Sequence, residues 1–178
     1  MPTTVRTATI DDALTIARIR VDTWRVAYAG RIDEAVLAGL DAEPEGARRR
    51  ERWDEFHHDP RGTELIAEVD GAAAGWAAIG PSVDEEFPEH GQVYAIYALP
   101  HHWGAGVGHA LMDASEQFLR TAGFTHAVLW YLDGNDRAAR FYERHGWYDD
   151  GATKMDASLV GGDAADALHE RRRQKRLA

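Results

Sequence analysis

The segment Ile96–Leu111, IYALPHHWGAGVGHAL, constrains the fold more than any other stretch of the chain. An apolar run, Val93–Leu99, stops at Pro100, and glycines follow at alternating positions, Gly104, Gly106 and Gly108. Beyond them Val107, Leu111, Met112, Phe118 and Leu119 recur at helical spacing. That order reads as strand, glycine-rich loop, helix. Glycines in such a loop let the backbone approach a bulky group. The first N–H groups of the helix have no intrahelical partner, and the helix dipole adds partial positive charge. Together these predict an anion site, most often one for phosphates. A helix entry that only needed tight packing would be served by a single glycine.

Two familiar phosphate loops fit the letters poorly. A Walker loop needs Gly-Lys-Ser/Thr, and no Lys follows these glycines. The dinucleotide fingerprint G-x-G-x-x-G fails because the sixth position is His109 counted from Gly104, and Leu111 counted from Gly106. Asp133 follows the next predicted strand, as an acidic ribose contact would, but too little chain remains for that fold's further units.

A second segment, Asn135–Trp147, follows the predicted strand Ala127–Leu132 and the turn pair Asp133-Gly134. Asn135 is a good helix N-cap, Ala138, Ala139, Phe141 and Tyr142 continue a short helix, and Gly146 ends it. Asn135 and Tyr142 stand two turns apart on one face. An amide and a phenol placed so can face one ligand, or can be a cap and a core tyrosine.

Taken together, the two segments resemble the GNAT superfamily of acyl-CoA-dependent N-acetyltransferases. The family's Q/R-x-x-G-x-G/A loop reads here Trp103-Gly104-Ala105-Gly106-Val107-Gly108, with Trp103 in the Q/R position. Its second signature, N-x-x-A-x-x-F-Y-x-x-x-G-F, matches Asn135, Ala138, Phe141, Tyr142, Gly146 and Trp147. Trp24, Tyr28, Gly30 and Trp53 are similar to one branch with W-x-x-x-Y-x-G in and after the first helix. The likeness is strongest over residues 4–151. It implies one α/β domain spanning residues 1–178, with a mixed, mostly antiparallel central sheet flanked by helices.

The resemblance also implies the site. Acetyl-CoA would be the co-substrate. Its pantetheine arm would bond the backbone of Ile96, Tyr97 and Ala98, and its pyrophosphate the amides of Gly104, Ala105, Gly106, Val107, Gly108 and His109. Asn135 would join the cofactor site. Tyr142 would protonate the leaving thiolate, while Trp24, Tyr28 and Tyr94 would line the acceptor pocket. The implied reaction is direct attack of a primary amine, on a small molecule or a peptide, upon the thioester. The base is open. Where one branch reads G-E-I-Y, this chain has Gly91-Gln92-Val93-Tyr94. Where the ribosomal-protein N-terminal acetyltransferases carry a Glu, it has Trp130. Glu85, Glu86, Glu89 and His90 remain as candidates, with Tyr94 through a water. A non-catalytic acyl-CoA sensor of the same fold is the alternative function.

Composition narrows the partners. The chain has 178 residues and a net charge of −10. An acidic body argues against nucleic acid and suits cationic amines. No cysteine is present, so no thiol nucleophile or Cys metal site exists, and no His-Glu-x-x-His pattern points to a metal. No apolar run is long enough to cross a membrane, and no signal-like apolar segment follows Met1, so the cytoplasm is the expected compartment. A homodimer is left open.

Elsewhere, strands are expected at Val5–Ala8 and at Thr63–Val69 and Ala72–Ile79, the latter two joined by an Asp70-Gly71 hairpin turn. Helices are expected after Asp11 or Asp12, over Ile32–Leu40, and beginning near Pro44. Gly80–His90 reads as an acidic loop, and the basic tail ERRRQKRL as an edge strand, since edges tolerate charge.

Overall fold

The computed structural model describes residues 2–157 and 167–177. Seven strands form one sheet: β1 (Thr3–Thr7), β2 (Thr63–Val69), β3 (Ala72–Pro81), β4 (Gly91–Ala98), β5 (His126–Leu132), β6 (Tyr148–Asp156) and β7 (Leu168–Arg176). Their spatial order is β1-β2-β3-β4-β5-β7-β6. Every neighbouring pair is antiparallel except β4 and β5. This is the mixed, mostly antiparallel α/β architecture expected from the sequence.

The helices are α1 (Ala13–Ala27), α2 (Glu34–Ala38), α3 (Ala42–Glu51), α4 (Trp53–Phe56), α5 (Val107–Thr121) and α6 (Asp136–Arg144). Alternation along β2 assigns them to faces. Leu65 and Ala67 pack with Val107, Leu111, Met112 and Leu119 of α5, whereas the intervening Ile66 packs with Ile16 and Ile19 of α1. The Asp70-Gly71 turn has positive φ at both residues, 52° and 79°, as a two-residue hairpin turn requires.

One sequence expectation is overturned. The basic tail is not an edge strand: β7 lies between β5 and β6, and β6 forms the edge. Its charge is met by acidic partners contributed by distant segments. Arg172 bonds Asp84, Glu86 and Asp150, and Arg173 bonds Glu143. Both arginines are buried.

The feature that makes room for a ligand is the short parallel ladder. β4 and β5 pair only at Gly91↔Ala127, Gln92↔Val128 and Val93↔Leu129. On its other side β4 shifts register against β3: Ile79 faces Val93, but Ala78 faces Ala95. Tyr94 is therefore an extra residue, a bulge placed directly after the last β4–β5 pair. Bulges bend and twist the strand that carries them. Beyond Val93 and Leu129 the two strands no longer bond, and a gap opens between them.

Candidate active site

The gap widens into a cleft of about 820 Å³. Its walls include Ile96, Tyr97 and Ala98 of β4, Trp24 and Tyr28 of α1 and its C-cap, and Asn135 and Tyr142 at the two ends of α6. Gly104, Gly106, Gly108 and His109 line the end where α5 begins. Tyr94 also lines the cleft, but its hydroxyl is turned onto the Pro81 carbonyl.

The glycines serve two separate purposes. Gly104 and Gly106 have φ of 79° and 90°, with open space where a Cβ would stand, so they are glycine for backbone conformation. At Gly108 a Cβ would come 3.4 Å from the Phe141 ring, so that position sets how closely α5 approaches α6. No side chain caps α5. The N–H groups of Val107, Gly108 and His109 in its first turn are therefore left without intrahelical partners. Val107 is fully buried in the core and does not line the cleft, so the amides that this turn presents there are those of Gly108 and His109. Ala105 does not line the cleft, and its N–H donates to the His102 carbonyl at 3.1 Å, which removes it from the donor set.

Asn135 acts as the N-cap of α6, its Oδ1 accepting from the Ala138 amide at 3.2 Å. The same side chain lines the cleft. Trp103 turns its ring N–H onto the Ala98 carbonyl at 2.8 Å. Its ring carries the Arg137 guanidinium, 3.1 Å from the ring centroid. Arg137 lines the cleft too, and nothing in its sequence context singled it out.

Three tyrosines gather at the centre. Burial pushes the phenols of Tyr28, Tyr97 and Tyr142 above the usual tyrosine value. For Tyr142 the neighbouring Tyr97 and Tyr131 add to the rise, outweighing Arg173. A phenol so placed stays protonated at neutral pH and can act as a proton donor.

The loop residues that remained as candidates for the base are elsewhere. None of Glu85, Glu86, Glu89 and His90 lines the cleft. Glu86 is bound to Arg172 at 2.7 Å, and His90 packs beside His126. Gln92 holds that loop through its Oε1, which accepts from the Val83 amide at 2.9 Å. Trp130 donates to Asp84 at 3.1 Å. The acids that do line the cleft, among the described residues, are Glu45 and Glu170. Glu170 lies in the basic tail, where the surrounding arginines hid it from sequence reasoning.

His109 and His145 also meet at the cleft, Nδ1 to Nε2 at 3.1 Å, with Asp113 3.2 Å from His109. The sequence separates these imidazoles by 36 positions, so no local pattern announced the pair.

The profile of the acetyltransferase (GNAT) family matches residues 23–147, more than half of the chain. The chain belongs to the GNAT acetyltransferase family. It is an acyltransferase, and its co-substrate is acetyl-CoA. Among its relatives is the uncharacterized N-acetyltransferase YuaI of Bacillus subtilis. The two are 30% identical over 132 residues, covering 74% of this GNAT chain and 73% of that protein. A mycothiol acetyltransferase of Frankia alni is 36% identical over 141 residues, covering 67% of this chain and 40% of the relative. The crystal structure of a PaiA N-acetyltransferase from Thermoplasma acidophilum, in complex with coenzyme A, has the same fold. Its TM-score is 0.75, with 15% identity and 99% of each chain covered. No helix among the described residues of this GNAT chain is long and apolar enough to cross a membrane.

Proposed function

We propose that the chain transfers the acetyl group of acetyl-CoA to a primary amine of a small molecule by direct attack. The observation that carries this reading is the parting of β4 from β5 beyond Val93 and Leu129, with Tyr142 on the wall of the gap. Freed from strand pairing on that side, β4 can bond an extended amide arm through Ile96, Tyr97 and Ala98. The pyrophosphate rests on the amides of Gly106, Gly108 and His109, which line that end of the cleft. Arg137 supplies the positive charge that Trp103, in the Q/R position, cannot.

The chemistry then needs few groups. The arm and phosphates fix the thioester in the gap, so the attack becomes effectively unimolecular. The amine nitrogen bonds the carbonyl carbon, the C–S bond breaks, and Tyr142 delivers its proton to the departing thiolate. The proton lost by the new amide nitrogen restores the phenol. Trp24, Tyr28 and Tyr97 give the acceptor end an aromatic wall, and a net charge of −10 favours cationic partners.

Parallel thermal melts with acetyl-CoA, CoA, NAD and ATP test the cofactor site. A ligand at 100 times its Kd adds about 2.7 kcal/mol to the folded state. A rise with the CoA species alone is expected, followed by release of free thiol in a screen of primary amines. A rise without thiol release from any amine makes the chain an acyl-CoA sensor instead.

A further inference from the structure

The amine must lose a proton before it can attack, and the positions where one branch of the family or another carries an acid hold Gln92 and Trp130. Among the described residues lining the cleft, the carboxylates are Glu45 and Glu170. Glu45 is held by Arg20 at 2.7 Å, across the α1–α3 contact. Glu170 stands on β7 opposite Leu132, the last residue of β5. It therefore sits at the open end of the gap, after the two strands have parted. Only 6% of the residue is exposed, although it faces a cavity.

The groups around it come from several elements. From β6, Lys154 approaches its carboxylate to 3.3 Å, and Asp156 shares that lysine at 3.4 Å. From α1 and β4, Tyr28 and Tyr97 lie within electrostatic reach of its charge. Burial raises the Glu170 carboxyl above the usual glutamate value and Asp156 adds to the rise, against the pull of Lys154. A desolvated carboxylate is a stronger base than one in water, and the Lys154 ammonium favours its ionised form.

We propose that Glu170 is the general base of the transfer, accepting the proton of the incoming ammonium directly or through one water. This rests on the acetyl-transfer reading above. The ammonium N–H bond breaks, an O–H bond forms on Glu170, and the freed lone pair attacks the thioester carbon. Glu170 later returns the proton to solvent, so one proton is released per acetyl group transferred.

The test combines two measurements on the whole chain saturated with acetyl-CoA. Carboxyl-labelled glutamate NMR, assigned with Glu170→Asp, follows the titration of Glu170 itself and needs no acceptor. Spermidine, lysine and tyramine then serve as amine probes for thiol release by wild type, Glu170→Gln and Glu170→Asp. Glu170 is expected to titrate above the ordinary glutamate range. Turnover should fall about 10²-fold or more in Glu170→Gln, with the thermal shift by acetyl-CoA unchanged and partial rescue in Glu170→Asp. The wild-type acidic limb of kcat/KM against pH should disappear in Glu170→Gln. A Glu170 that titrates at or below the ordinary range overturns the proposal, and so does a Glu170→Gln variant with wild-type turnover. An unchanged acidic limb does the same. If Glu170→Gln does not fold, Glu170→Asp and the NMR titration decide. Wild type inert with every probe counts against the acetyl-transfer reading, while the titration still judges Glu170.

Discussion

The guanidinium of Arg137 lies on the indole of Trp103, 3.1 Å from the ring centroid. The two residues come from different segments, the glycine loop and the first turn of α6. Their stacking joins the two walls of the cleft at its glycine-loop end. A tryptophan in the Q/R position thus becomes a platform that aims a cation supplied by the neighbouring helix.

Replacing Arg137 by Ala is expected to weaken acetyl-CoA binding about tenfold, as loss of one hydrogen bond to a charged group does. Acetyl-CoA titrations by calorimetry check this. The loss should shrink as salt rises, because phosphate contacts at a solvent-facing site are screened. Equal binding by wild type and variant would remove Arg137 from the site.

Tyr142→Phe should lower kcat by about 10²-fold or more while the Kd for acetyl-CoA stays within about twofold, the pattern of a lost proton donor. Single-turnover thiol release and calorimetry separate the two quantities. A fall in binding with normal turnover would make Tyr142 a packing residue only.

Gly106→Ala and Gly108→Ala should behave differently. At Gly106 a side chain meets open space but must adopt a φ of 90°. The expected cost is about 1 kcal/mol, or roughly 2–4 °C in Tm. At Gly108 the φ is ordinary and the nearest atom is the Phe141 ring at 3.4 Å. Gly108→Ala should therefore cost less than Gly106→Ala in the same thermal melts.

Arg172 holds Asp84 and Asp150 in a buried cluster. Arg172→Ala should destabilise the chain by about 3–5 kcal/mol at pH 7, because two carboxylates lose their buried partner. Urea melts measure this.

Acid should unfold the chain through the same kind of pair. The Arg6 guanidinium holds the Asp12 carboxyl below its usual value of 3.8. At Asp150 burial pushes up, but bonds from Gln174, the Ala152 amide and Arg172 prevail, and the carboxyl again lies below 3.8. Folded values below unfolded ones mean stabilisation that is complete above about pH 4 and lost as pH falls through the folded values. Urea midpoints between pH 6 and pH 2 should drop in that lower window. The gap between wild type and Arg172→Ala should narrow there as well.

Much of the architecture was legible because it is local. Helix α5 carries Val107, Leu111, Met112, Phe118 and Leu119, the residues whose spacing predicted it, and β2 occupies the expected Thr63–Val69. Turn chemistry, helical spacing and the positive-φ glycines each act over a few residues. For the same reason the glycine loop and the Asn135–Tyr142 helix could be recognised from letters alone.

Tertiary structure decided what depends on segments far apart in the chain. The basic tail became an interior strand because Asp84, Glu86, Glu143 and Asp150 converge on its arginines, and charge written in a row does not reveal its neutralising partners. The cleft exists because a one-residue bulge at Tyr94 follows the last β4–β5 pair, a matter of register between three strands. Arg137 on Trp103, and Glu170 at the mouth of the gap, follow from that packing. Sequence by itself determined the family, the cofactor and the helix that carries Tyr142. The placement of charge around them was left to long-range contacts, which no local pattern encodes.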